Sequence, residues 1–113
     1  MVEQDLVRVV ELEGQLVGVV QVDPDASSYG APFEHDAELE LLFVDPAAMG
    51  RGVGQTLFAF ARTAAVRSGK AGLAILSDPG ARAFYEHLGA EFVRDAPSDA
   101  IAGRTLPLLR VRM

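Results

Sequence analysis

Three glycines alternate in Gly50-Arg51-Gly52-Val53-Gly54, between an apolar run that ends at Val44 and a pattern that reads as an amphipathic helix. Glycines at such a join let the backbone turn through conformations closed to other residues and let a ligand approach the main chain. The helix that follows begins with unpaired N–H groups under the positive end of its dipole. Three glycines can also make only a tight turn. The strand before, the helix after and Arg51 inside favour an anion site, most naturally for phosphate. Two common phosphate motifs do not fit. G-x-G-x-x-G would need its third glycine where Gln55 or Leu57 stands, and no Lys-Ser or Lys-Thr pair follows as in a P-loop.

The flanking patterns give an order of elements. Leu6–Leu12 and Gln15–Val22 are β-branched apolar runs separated by Glu13-Gly14, which predicts a hairpin. Both runs are apolar at odd and even positions, so the hairpin is expected to be buried on both faces. Asp23–Asp36, with two prolines and Gly30, reads as a loop, and Ala37–Val44 as a third strand in which Glu38 and Glu40 alternate with Leu39 and Leu41. Val53, Leu57, Phe60, Ala61 and Ala64 fall on one helical stripe that Gly69 ends. Gly72–Leu76 reads as a buried strand. Ser77 or Asp78 is a candidate cap, with Pro79 first in a helix carrying Ala81, Phe84, Tyr85 and Leu88 and closed by Gly89. Glu91–Arg94 and Thr105–Met113 complete the strands, separated by a polar loop, and Pro107 implies an edge position or a bulge. The order β-β-β-α-β-α-β-β predicts an α/β (α+β) fold with a mixed sheet, in a single domain over residues 1–113.

Composition narrows the function. The 113 residues carry 10 basic and 16 acidic side chains, a net charge of −6, which argues against nucleic-acid binding. With no cysteine there is no disulfide, thiolate zinc site or cysteine nucleophile, and neither histidine has partners at metal spacing, so no metal is expected. Apolar runs fall well short of the roughly 20 residues a bilayer span needs. Glu3, Gln4 and Asp5 stand where a signal peptide is basic, so a soluble, cytoplasmic protein away from membranes is expected.

Met49-Gly50-Arg51-Gly52-Val53-Gly54 after the strand ending at Val44 resembles the [Q/R]-x-x-G-x-[G/A] block of the GCN5-related N-acetyltransferases (GNAT). Asp78–Ala90 resembles their N-x-x-A-x-x-x-Y-x-x-x-G-[F] block, with Met49, Asp78 and Ala90 departing from the usual residues. The resemblance implies acetyl-CoA as co-substrate. Its pyrophosphate would lie on the amides of Gly50–Gly54, with Met49, Arg51, Val53 and Gln55 alongside. Its pantetheine arm would run along Leu42, Phe43 and Val44, where two strands part after Val44. Asp78, Ala81, Phe84 and Tyr85 would complete the cofactor site. Tyr85 would be the acid at the leaving thiolate, although its place on the helical stripe equally suits a core residue. Glu38 or Glu40 would serve as base, or else simply form a solvated strand face. Without cysteine, a primary amine (a small molecule or a peptide) would attack the thioester directly in a ternary complex. The alternative is a catalytically weak acyl-CoA-binding or regulatory module. Family members normally carry one strand and two helices ahead of the hairpin. Their absence here, with apolar strands left to cover, predicts a homodimer.

Overall fold

In a computed structural model, which describes residues 6–98 and 100–113, the expected order of elements is found. β1 (Val7–Leu12) and β2 (Gln15–Asp23) form the hairpin, turned by Glu13 and Gly14. Both turn residues have positive φ, 53° and 81°, which matches the right-handed twist of the strands they join. β3 (Asp36–Val44) pairs antiparallel with β2, and α1 (Val53–Arg67) carries the chain back so that β4 (Gly72–Leu76) lies parallel to β3. A short helix, α2 (Arg82–His87), leads to β5 (Glu91–Pro97) and β6 (Thr105–Arg112). The sheet is mixed and runs β1-β2-β3-β4-β6-β5, so the last strand is inserted between β4 and β5. No helix among the described residues is long and apolar enough to cross a membrane.

α1 packs across one face of the sheet. Leu57, Phe58, Ala61 and Ala65 meet Val20, Val22, Leu39, Leu73 and Ile75. The approach is close at Gly18, where a Cβ would stand 2.8 Å from Val53 Cγ1 and 2.9 Å from Leu57 Cδ1. A smaller cluster lies on the opposite, outer face. There the loop between β2 and β3 places Ala26 and Phe33 against Ala74, Ala96 and Leu108.

Four expectations are corrected. The hairpin is buried on one face only: Val7, Val9, Leu16, Leu41 and Phe43 stand half exposed on or beside its outer face. α1 covers the inner face, and on the outer one the β2–β3 loop packs its apolar side chains over the β4, β6 and β5 half. Neither Ser77 nor Asp78 caps with its side chain. The turn over Pro79–Ala81 is 3₁₀, and the Ser77 hydroxyl donates to the Asp78 carbonyl at 2.6 Å. β5 extends to Pro97 rather than Arg94, and β6 is interior. Pro107 is bonded on both sides: just past the Leu76↔Leu108 rung the Ser77 N–H donates to its carbonyl at 2.9 Å, and Asp95 of β5 pairs with it on the other side.

Candidate active site

β3 and β4 form a fork. They pair through three rungs, Asp36↔Gly72, Ala37↔Leu73 and Glu38↔Ala74, and then separate. The closed end is fastened by the buried Asp36 carboxylate, which accepts two hydrogen bonds from Arg110, from Nε at 2.6 Å and from Nη2 at 2.9 Å. Gly72 makes room for that pair, since a Cβ there would stand 2.8 Å from Asp36 Oδ1. Beyond Glu38, β3 follows β2 while β4 follows β6 through Ile75↔Leu109 and Leu76↔Leu108. The parting therefore begins after Glu38, not after Val44. Its cause is a bulge: Val22 pairs with Leu39 and Gln21 with Leu41, leaving Glu40 as the extra residue that bends β3 away.

On the α1 side the fork opens into a cleft of about 610 Å³, within the ordinary range for a small-molecule site. Leu42 and Val44 line it from β3, Met49, Gly50, Gly52, Val53, Gly54 and Gln55 from the glycine turn and first turn of α1, and Ala81, Phe84 and Tyr85 from the α2 side. Gly80 lines it too and was not expected from the sequence. The Phe43 side chain points to the outer face and is 54% exposed, which leaves only its main chain for the cleft. Arg51 and Asp78 are exposed and outside the lining, so the structure does not bring these two expected residues into the cleft.

The glycines have distinct reasons to be glycine. Gly50 and Gly52 adopt φ of 85° and 77°, disfavoured for any side chain, and a Cβ on either would meet nothing within 4 Å. Gly54 is constrained by contact instead: a Cβ there would stand 3.1 Å from Phe84 Cζ. The turn starts from Asp45, whose carboxylate accepts from the Ala47 N–H at 2.9 Å while its own N–H donates to the Val17 carbonyl.

Tyr85 is buried against Phe58 and Phe84, with ring centroids 5.9 and 5.2 Å away. Burial, with a smaller effect from the charge of Asp78, pushes its phenol up to about 12. It is a neutral hydrogen-bond donor throughout the physiological range.

Ala37 and Leu39 share the α1-side core with Tyr85, so Glu38 between them points to the outer face. There its carboxylate, that of Glu40 and that of Asp23 lie with oxygens within 4.8 Å of one another. The Tyr29 hydroxyl donates to Glu38 Oε2 at 2.5 Å. Sequence reasoning brought the two glutamates together but missed Asp23, which the Asp23↔Glu38 rung places, and Tyr29, which arrives from the loop.

The family model of the acetyltransferase (GNAT) domain matches residues 3–89. No curated protein matches the chain in sequence. Among solved structures the fold is similar to a GCN5-related N-acetyltransferase from Rhodopseudomonas palustris, with a TM-score of 0.76 and 22% identity, covering 95% of this chain and 61% of that one. It is similar also to an aminoglycoside 6'-N-acetyltransferase complexed with coenzyme A, with a TM-score of 0.74, 15% identity, and coverage of 94% and 71%. A third is the ribosomal-protein-S18-alanine N-acetyltransferase from Escherichia coli, with a TM-score of 0.69, 18% identity, and coverage of 99% and 71%. This chain thus spans between 61% and 71% of the length of these three. At such identities the structures show a shared fold, and the match of the family model over most of the chain establishes that it belongs to the GNAT acetyltransferases.

Proposed function

We propose that residues 1–113 act as one acetyltransferase domain that moves an acetyl group from acetyl-CoA to a primary amine, a small molecule or a peptide. The observation that carries this reading is the fork: a cleft rimmed by the glycine turn on one face, and a cluster of carboxylates on the other face at the rung where the strands part. The amides of Gly50–Gly54 would hold the diphosphate at the start of α1. The β3 main chain from Leu42 to Val44, no longer paired to β4, would bind the pantetheine amides as an added strand.

An amine entering from the outer face attacks the thioester carbonyl; a C–N bond forms and the C–S bond breaks. A carboxylate, Glu38 or Glu40, takes the ammonium proton directly or through water. Tyr85, which lines the cleft, would donate to the leaving sulfur. With its phenol near 12 and an ordinary thiol near 8.5, full proton transfer is uphill, so Tyr85 stabilises the thiolate by hydrogen bonding and solvent protonates it.

The apolar outer face of the hairpin fits a second copy of the chain. Its five half-exposed side chains offer on the order of 450 Å² of apolar surface, upper-range for a monomer, and a stable interface buries about 800 Å² per partner. That patch is the apolar core of such an interface.

Calorimetric titration with acetyl-CoA tests the cofactor reading: saturable binding is expected, and absence of heat at millimolar ligand overturns it. Thiol release is then followed with spermidine, lysine and an alanyl peptide. Turnover that falls in Tyr85→Phe supports transfer, whereas binding with only background hydrolysis favours a weak acyl-CoA-binding module.

A further inference from the structure

We propose that Tyr29 is the positioning residue of the base, its hydroxyl holding the Glu38 carboxylate ionised and fixed at the last rung before the fork opens. The inference rests on the acetyltransfer reading above, and it concerns a loop that the cofactor blocks do not include.

The observations are geometric. Tyr29 OH donates to Glu38 Oε2 at 2.5 Å, bridging nine residues of chain. The ring that carries this hydroxyl is held on several sides. It meets Phe33, itself fully buried, edge-on at 5.8 Å between centroids. Arg94 reaches from β5 to donate to the Tyr29 carbonyl and, at 3.2 Å, to the Ala31 carbonyl. The loop is tied to the sheet below by the Ala26 N–H donating to the Asp36 carbonyl at 2.9 Å. The donor is thus fixed by the fold before any substrate arrives.

The described surroundings of this donor are acidic. Asp23 from β2 and Glu40 from β3 are like charges within 4.8 Å, and each favours protonation of its neighbour. Asp36, two residues back on β3, is occupied by Arg110 of β6, and the β4 residue paired with Glu38 is Ala74. Arg94 of β5 is engaged with loop carbonyls. A phenol donating to a carboxylate stabilises its charged form. Tyr29 therefore opposes the two acidic neighbours and keeps Glu38 able to accept a proton.

The test is Tyr29→Phe, which keeps the ring against Phe33 and removes only the donor. In the free protein, the carboxyl carbon of Glu38, assigned by comparison with Glu38→Gln, is titrated by ¹³C NMR; its midpoint is expected to move to higher pH. With the best amine of the panel above, the acid limb of the kcat/KM profile should move in the same direction. On the acid side of that limb kcat/KM should fall roughly tenfold, the effect fading toward neutral pH, and the KM for acetyl-CoA should not change. An unmoved NMR midpoint in a folded Tyr29→Phe protein overturns the proposal. A moved midpoint with an unmoved acid limb also overturns it, because Glu38 is then not the base. Failure of the cofactor reading is separate: it appears as absent acetyl-CoA binding in the unaltered protein, whatever Tyr29 does.

Discussion

Opposite α1, the two halves of the sheet are covered differently. Over β4, β6 and β5 the β2–β3 loop lays Phe33 into a cluster with Ala74, Ala96 and Leu108, and Phe33 is fully buried. Over β1, β2 and β3 the row Val9, Val19 and Phe43, aligned rung by rung, stands at the surface among the described residues, with Val9 47% and Phe43 54% exposed. Both halves are built from similar apolar residues. The contrast teaches that a strand's composition records a need for cover without recording its source. A polar-looking loop supplies the cover on one half, and a second chain is our proposal for the other.

Substitutions set against this contrast rank by size. Phe33→Ala empties a closed cluster and should cost about 3–5 kcal/mol in chemical denaturation; a cost no larger than that of trimming Phe43 would erase the distinction between the halves. Tyr85 probes the covered α1 face. Its phenol is raised from 10.0 to about 12, so the folded state holds this proton more tightly than the unfolded chain does. The stabilisation is complete below pH 10 and is lost as pH rises through 12, about 2–3 kcal/mol in all. Melting followed across that window should show the loss, and Tyr85→Phe should flatten it. The smallest effect belongs to the bare half. Phe43→Asp should change the stability of the folded monomer by no more than about 0.5 kcal/mol, yet convert a sedimenting dimer to monomer. An unaltered protein that sediments as a monomer at every concentration would leave the hairpin face without a partner of its own kind.

Much of the fold was legible because punctuation is local. Gly14, Gly69 and Gly89 all take positive φ where turns and helix ends were expected. The cleft lining was legible for the same reason: from Met49 to Gln55 and from Ala81 to Tyr85 the relevant residues are near neighbours in sequence, and the two blocks carry the family pattern. What escaped is non-local. The bulge at Glu40 is a property of the β2–β3 register, and no spacing within β3 announces it. Tyr29 sits in a loop rich in proline, serine and glycine, where a tyrosine carries no periodic signal. Asp78 was placed at the cofactor by its motif position, yet it is exposed and outside the cleft lining, and its charge contributes to raising the Tyr85 phenol. The hairpin was expected to be buried on both sides because apolar counts do not tell which faces the rest of the chain will cover.

The insertion of β6 has a consequence for how the molecule comes into being. Ala74 must wait for Arg110, and Asp36 must find its guanidinium 74 residues downstream. On a nascent chain the family's cofactor blocks emerge complete while one flank of β4 is still an unsatisfied ladder and Asp36 has no counter-charge. The glycine turn is thus assembled from neighbours, whereas the fork beside it closes only when β6 threads into the middle of the sheet, the slow, long-range kind of step.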